Sequence, residues 1–158
     1  MPKPRLSRLS QVYLKRPVYF VTLCTFDRKM ILNRQTIHSA FIDFCKAATG
    51  HGVCVGRYVL MPDHIHLFVA SALEGLDLSI WIKSLKNTLS KTWRQAGEPA
   101  PHWQKGGFDH VLRSEDSYRE KWAYVAANPV RAGLADAPDS WPFQGSVHDL
   151  NSSLVRRS

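Results

Sequence analysis

The chain of 158 residues has only three cysteines, Cys24, Cys45 and Cys54, set singly in apolar segments with no Cys-x-x-Cys pair among them. That spacing excludes a disulfide framework and a cysteine-based zinc site. Buried, reduced thiols are expected instead, because free cysteine behaves as a small hydrophobe. No apolar run approaches the roughly 20 residues that a membrane-spanning helix requires, so no membrane partner is expected. The first residues, MPKPRLSRLS, are basic but lack the apolar stretch of about 7 to 15 residues of a secretory signal, and the expected location is cytoplasmic. Internal repeats and low-complexity tracts are also missing. The length then suits one domain over residues 1–158, with a basic N-terminal tail over about 1–15 and a short C-terminal tail over about 146–158.

Acidic residues are the other shortage. Thirteen Asp and Glu face 21 Lys and Arg, a formal net charge of +8. Such an excess favours polyanionic partners, since each phosphate neutralised releases condensed counterions. The basic residues form two groups: Lys3, Arg5, Arg8, Lys15 and Arg16 at the start, and Lys83, Lys86, Lys91 and Arg94 in one later segment. For that second group a solvated helix face competes with a phosphate-contacting one.

The residues VYFVTLCTF, 18–26, are β-branched and aromatic and predict a first strand. From Gln35 to about Thr49, Ile37, Phe41, Phe44, Cys45 and Ala48 recur at helical spacing, and Gly50 and Gly52 supply stop signals. VCVGRYVL, the turn MPD and HIHLFVAS predict an antiparallel hairpin. Residues 77–95 put Leu78, Trp81, Ile82, Leu85, Leu89 and Trp93 on one stripe behind a candidate cap, Asp77. FDHVLR predicts a short strand. Ser114 then opens a third helix, which should stop near Asn128 because Pro129 disfavours helical angles in the residue before it. The order strand, helix, strand, strand, helix, strand, helix predicts an α+β fold: a ferredoxin-like βαββαβ antiparallel sheet with helices packed on one face, plus a C-terminal helix.

Within the hairpin, His64 and His66 are two apart and project to one face, while Ile65, Leu67 and Val69 point to the other. Two neutral imidazoles on a rigid strand can share a divalent metal, and they also suit two half-exposed histidines at a hairpin. The third helix adds chemistry. At about 100° per residue, Tyr118, Trp122, Val125 and Ala126 form its core-facing stripe, and Glu120, Tyr124 and Asn128 lie opposite. Tyr124 and Asn128, four apart, can bring a hydroxyl and an amide oxygen to one site. A tyrosine beside a metal is a plausible nucleophile on phosphorus.

With those residues in place, MPDHIHLFV resembles the His-hydrophobic-His signature of HUH single-strand nucleases of the single-tyrosine branch. YVAANPVRAGL and the intervening HWQKGGFDHVLR are similar in order and spacing to the REP-associated tyrosine transposases, over roughly residues 16–145. The resemblance implies His64 and His66 as metal ligands, Tyr124 as nucleophile and Asn128 as third ligand, where larger relatives often carry glutamine. It implies Mg²⁺ or Mn²⁺, no nucleotide cofactor, and cleavage and rejoining of REP-type hairpin DNA through a 5′-phosphotyrosine. Arg16, Lys83, Lys86, Trp103, Lys105, His110 and Arg113 are the expected DNA contacts, along an unpaired flank. For Asp109, His110 and Arg113 a plain polar strand edge is an equal alternative. A monomer is expected, with a dimer as the alternative. Two rival readings are a non-cleaving single-strand-binding protein on this fold and a metal-dependent hydrolase using water.

Overall fold

The computed structural model describes residues 17–71, 73, 75–112 and 114–150. Arg16, Arg113 and most of the two expected tails lie outside these residues. Five strands form one sheet: β1 (Val18–Cys24), β2 (Val53–Met61), β3 (His64–Ser71), β4 (Phe108–Leu112) and β5 (Gln144–Ser146). Their order is β4-β1-β3-β2-β5, and every pairing is antiparallel. The first four strands, with α1 (Gln35–Lys46) and α2 (Leu78–Gln95), make the ferredoxin-like unit expected from the sequence. α3 (Glu115–Ala126) and a short α4 (Asn128–Arg131) follow.

Local chemistry sets the element ends. Gly52, at φ 78°, closes the 3₁₀ turn after α1 in the left-handed region that glycine enters without penalty. The Asp77 carboxylate accepts from the Ser79 amide at the start of α2, and the Ser114 hydroxyl accepts from the Ser117 amide at the start of α3. α3 ends at Ala126, and Pro129 sits in the first turn of α4, where its missing N–H costs no hydrogen bond.

Strand alternation divides the sheet into two apolar faces. Val21 and Leu23 of β1, Val55, Tyr58 and Leu60 of β2, and Ile65, Leu67 and Val69 of β3 pack under Ile37, Phe41 and Cys45 of α1 and Trp81, Leu85, Leu89 and Trp93 of α2. Each large side chain fully buried there contributes roughly 1.5–3 kcal/mol of transfer free energy. A β-bulge between Val55 and Tyr58 keeps both residues on this face.

The face carrying the histidines has a smaller core of its own. Phe20, Val59, Phe68 and Ala70 are covered by Val125 of α3 and by Trp141 and Leu150, with Tyr118 and Trp122 packed alongside. Phe68 is the seat of α3: its ring lies 4.7 Å from that of Tyr118 and 6.1 Å from that of Trp122. The predicted stripe of α3 is therefore its packing face. β5, which the sequence reading left out, pairs with β2, and beyond it the His148 Nδ1 accepts from the Val55 amide at 2.9 Å. All three cysteines are free thiols; Cys45 and Cys54 are buried and Cys24 is half-buried.

Candidate active site

The antiparallel register puts Thr22 opposite His66 and Cys24 opposite His64. Thr22 Oγ1 lies 2.9 Å from His66 Nδ1, so the hydroxyl can accept the Nδ1 proton. The His66 ring stacks on Phe20, with centroids 5.1 Å apart at 22°. Burial, aided by the neighbouring His64 ring and by the charges of Lys121, Arg131 and Arg28, pulls His66 down to about 3, so this imidazole is neutral across the physiological range.

His64 is held differently. Its Nδ1 stands 2.8 Å from Asp63 Oδ1 and 3.3 Å from an Arg28 nitrogen. A ring nitrogen cannot serve a carboxylate and a guanidinium at once, and the shorter contact is with the carboxylate. Asp63 remains ionised: burial would raise its carboxyl, but hydrogen bonds from Arg28 and His64 outweigh burial and hold it below the usual range. Nδ1–H of His64 therefore donates to Asp63. Arg28 Nε donates to the other carboxylate oxygen at 2.8 Å, and that hydrogen bond raises the guanidinium further. The turn carrying Arg28 is strained: Asp27 and Arg28 have φ of 53° and 52°, a left-handed pair of non-glycine residues costing on the order of 1–3 kcal/mol each.

The two rings are 4.7 Å apart, edge to face. Both Nδ1 atoms are engaged, and among the described residues neither Nε2 has a hydrogen-bond partner. Two oriented imidazoles on a rigid strand fit a divalent cation, since a ligating histidine commonly anchors its other ring nitrogen in this way. Among the described residues no group of three His, Cys, Asp or Glu side chains could hold a metal.

Tyr124 and Asn128 are on the same side of the sheet, on α3 and at the start of α4. Tyr124 is 63% exposed, clear of the packing stripe as the helical pattern predicts. The two residues are joined through Arg131, which the sequence reading passed over. Its guanidinium lies 3.9 Å from the centre of the Tyr124 ring, donates to the Tyr124 carbonyl at 2.7 Å and donates to Asn128 Oδ1. Arg131 also bears on His66 electrostatically, as does Lys121, whose Nζ sits 5.1 Å from the Phe20 ring. Among the described residues no direct contact joins Tyr124 to either histidine; Arg131 is their common neighbour.

Four of the expected DNA contacts fall elsewhere. Lys83, Lys86, Trp103 and Lys105 cluster around α2 and the loop before β4, over the opposite sheet face. There the Trp103 indole N–H donates to the Lys86 carbonyl at 3.0 Å, and Lys86 Nζ donates to the Gly106 carbonyl at 2.6 Å. His110 is placed by its pairing with Phe20 in β4; its side chain and Arg113 lie outside the described residues.

An antiparallel βαββαβ sheet with paired imidazoles on a central strand is the arrangement that the comparisons can be set against. Residues 14–111 match the family described as "Transposase IS200 like", which is well over half of the chain. The chain belongs to the IS200-like transposase family, and the family is one of enzymes. The match ends before α3, so it does not extend to Tyr124 or Asn128. A Haemophilus influenzae protein named as a candidate REP-associated tyrosine transposase is 22% identical over 162 residues, covering 94% of this chain and 90% of that protein. Among solved structures, a REP-associated tyrosine transposase bound to a REP hairpin shares the fold with a TM-score of 0.64 at 22% identity, over 84% of this chain and 88% of the other. A candidate transposase of Deinococcus radiodurans R1 shares it with a TM-score of 0.54 at 18% identity, over 72% and 91% of the two chains. These relatives agree with the REP-associated resemblance read from the sequence.

Proposed function

We propose that this protein is a metal-dependent single-strand DNA endonuclease and strand transferase that cuts and rejoins hairpin DNA through a 5′-phosphotyrosine on Tyr124. The observation that carries the reading is the pair of imidazoles with both Nδ1 atoms anchored and, among the described residues, both Nε2 atoms free, on the sheet face over which α3 presents an exposed tyrosine. His64, His66 and the Asn128 amide oxygen are the residues that would hold Mg²⁺ or Mn²⁺. When bound, such an ion supplies Lewis-acid polarisation of a phosphoryl oxygen.

The chain's own groups account for the rest. The Tyr124 hydroxyl gives up its proton as its oxygen forms a bond to phosphorus, the bond from phosphorus to the 3′ oxygen breaks, and that oxygen takes up a proton to leave as a 3′ hydroxyl. Attack by a 3′ hydroxyl on the phosphotyrosine reverses these changes and rejoins a strand. One phosphodiester is exchanged for another at each step, so no nucleotide cofactor is consumed. Arg131 fixes the ring that must meet the phosphate and brings a positive charge beside it.

The DNA substrate is inferred from the net charge of +8 and from the relative whose structure contains a REP hairpin. The test is incubation of labelled hairpin DNA bearing single-stranded flanks with the protein and Mn²⁺. A covalent adduct that survives denaturation and is absent from Tyr124→Phe is expected. Cleavage with no adduct would point to a water nucleophile instead.

A further inference from the structure

A cavity of about 260 Å³ lies between the first turns of α2 and the turn before β4, over the sheet face opposite the histidines. Val21, Leu78 and Ile82 give it apolar walls, and its rim carries Ser79, Lys83 and Lys86. Gly106 and Gly107 close the far side. Gly106 has φ of 74°, and a Cβ on Gly107 would stand 3.2 Å from Leu23 Cδ2, so the turn is pressed onto β1 as a fixed wall.

The lysines are placed unequally. Lys86 is half-buried, tied to the Gly106 carbonyl and 5.9 Å from the Trp103 ring centre, with two ammonium protons to spare. Lys83 is exposed and makes no hydrogen bond or ion pair among the described residues. Among the described residues no acidic side chain lines the cavity. Its volume falls below the roughly 300–1,000 Å³ typical of sites for drug-sized ligands, which leaves room for one flat ring system. Apolar walls would not hold a phosphate, whereas a nucleobase offers an apolar face to such walls and a polar edge to a rim. The lysines at the mouth match the phosphates on either side of that base.

We infer that this cavity takes one unpaired nucleobase of a bound DNA strand, with Lys83 and Lys86 contacting the adjoining phosphates. The inference rests on the reading of this protein as one that handles single-stranded DNA. It turns the loose group of basic and aromatic residues around Trp103 into a site with a defined occupant.

Binding of a fluorescent twelve-nucleotide oligothymidylate is to be compared with binding of a twelve-unit strand of the same backbone made wholly abasic, for the full chain and for two variants that fill the cavity, Ile82→Trp and Ser79→Phe. Ser79 is exposed, so its variant tests the idea even if Ile82→Trp fails to fold. The full chain should prefer the strand with bases by at least about fivefold, the lower bound for one stacked base. In the filled variants that preference should fall towards one while affinity for the abasic strand is kept. No preference in the parent protein, a preference unchanged by filling, or an equal loss for both strands would each overturn the inference. Failure of the parent to form a covalent adduct would instead remove the Tyr124 cleavage reading and leave this comparison standing.

Discussion

The guanidinium of Arg131 lies over the ring of Tyr124, 3.9 Å from its centre, and the same group donates to the Tyr124 carbonyl and to the Asn128 side chain. A tyrosine that is 63% exposed would otherwise be free to turn. Arg131 therefore acts as a positioning residue. Replacing it with alanine, or with lysine, which has no planar fork, should slow formation of the covalent adduct by about tenfold or more. Thermal stability should change little, by about 0.5 kcal/mol, as for other exposed positions. Adduct rates at saturating Mn²⁺, set beside melting curves, check this; equal rates for Arg131→Ala and the parent would contradict it.

The partners of the two Nδ1 atoms predict metal affinity without reference to turnover. Asp63→Ala frees the His64 ring and Thr22→Val frees the His66 ring, and each should weaken Mn²⁺ binding by about 10- to 100-fold. Titration calorimetry with Mn²⁺ reads this directly. Two imidazoles and one amide oxygen also favour Mn²⁺ over Mg²⁺, a harder ion that prefers all-oxygen ligation. Half-saturation at a lower concentration of Mn²⁺ than of Mg²⁺ is the expected order.

Much of this arrangement could be read before any coordinates. The four strands of the βαββαβ unit, its two helices, the α3 that follows it, the shared face of His64 and His66 and the clear side of α3 all follow from period and end signals. Other features depend on contacts between residues distant in sequence. Thr22 meets His66 across 44 residues only because β1 and β3 pair in one register. β5 has three residues, too short for an alternating pattern, and Trp141 gives no sign in sequence that it caps a second core. Arg28 reaches Asp63 through a left-handed turn at Asp27 and Arg28 that their residue types do not announce. Arg131 was within reach: it stands three residues after Asn128, the spacing of neighbours on a helix surface.

α3 packs Tyr118 and Trp122 against Phe68, so a core substitution there should act at the candidate active site. Phe68→Ala should cost about 3–5 kcal/mol in urea unfolding, and because Tyr118 and Trp122 lose their seat, the adduct rate should fall even where the protein is still folded. Ile37→Ala, under α1 on the other face, should cost about 2–5 kcal/mol and leave that rate nearly intact. Matched losses of rate in the two variants would argue against a specific link between Phe68 and Tyr124.

Stability should depend on acid through buried imidazole. His38, whose Nε2 is 2.8 Å from the Tyr58 hydroxyl, is lowered by burial, so the folded protein binds its proton less readily than the unfolded chain. The stabilisation is fully present above the ordinary histidine value of about 6.5 and is lost as pH falls through the lower folded value. His148 and His66 are shifted in the same direction and add to the slope. Urea midpoints from pH 7.5 to 4.5 should decline steadily, and His38→Gln should shallow the decline.

The central claim is the bond to Tyr124. Trypsin releases residues 122–131, WAYVAANPVR, a peptide with a single tyrosine. After reaction with hairpin DNA and nuclease trimming, mass spectrometry should find a nucleotide joined through its 5′ phosphate to Tyr124 in that peptide, together with DNA ending in a free 3′ hydroxyl. A nucleotide on Tyr118 or another tyrosine, or cut DNA with no modified peptide, would contradict the account.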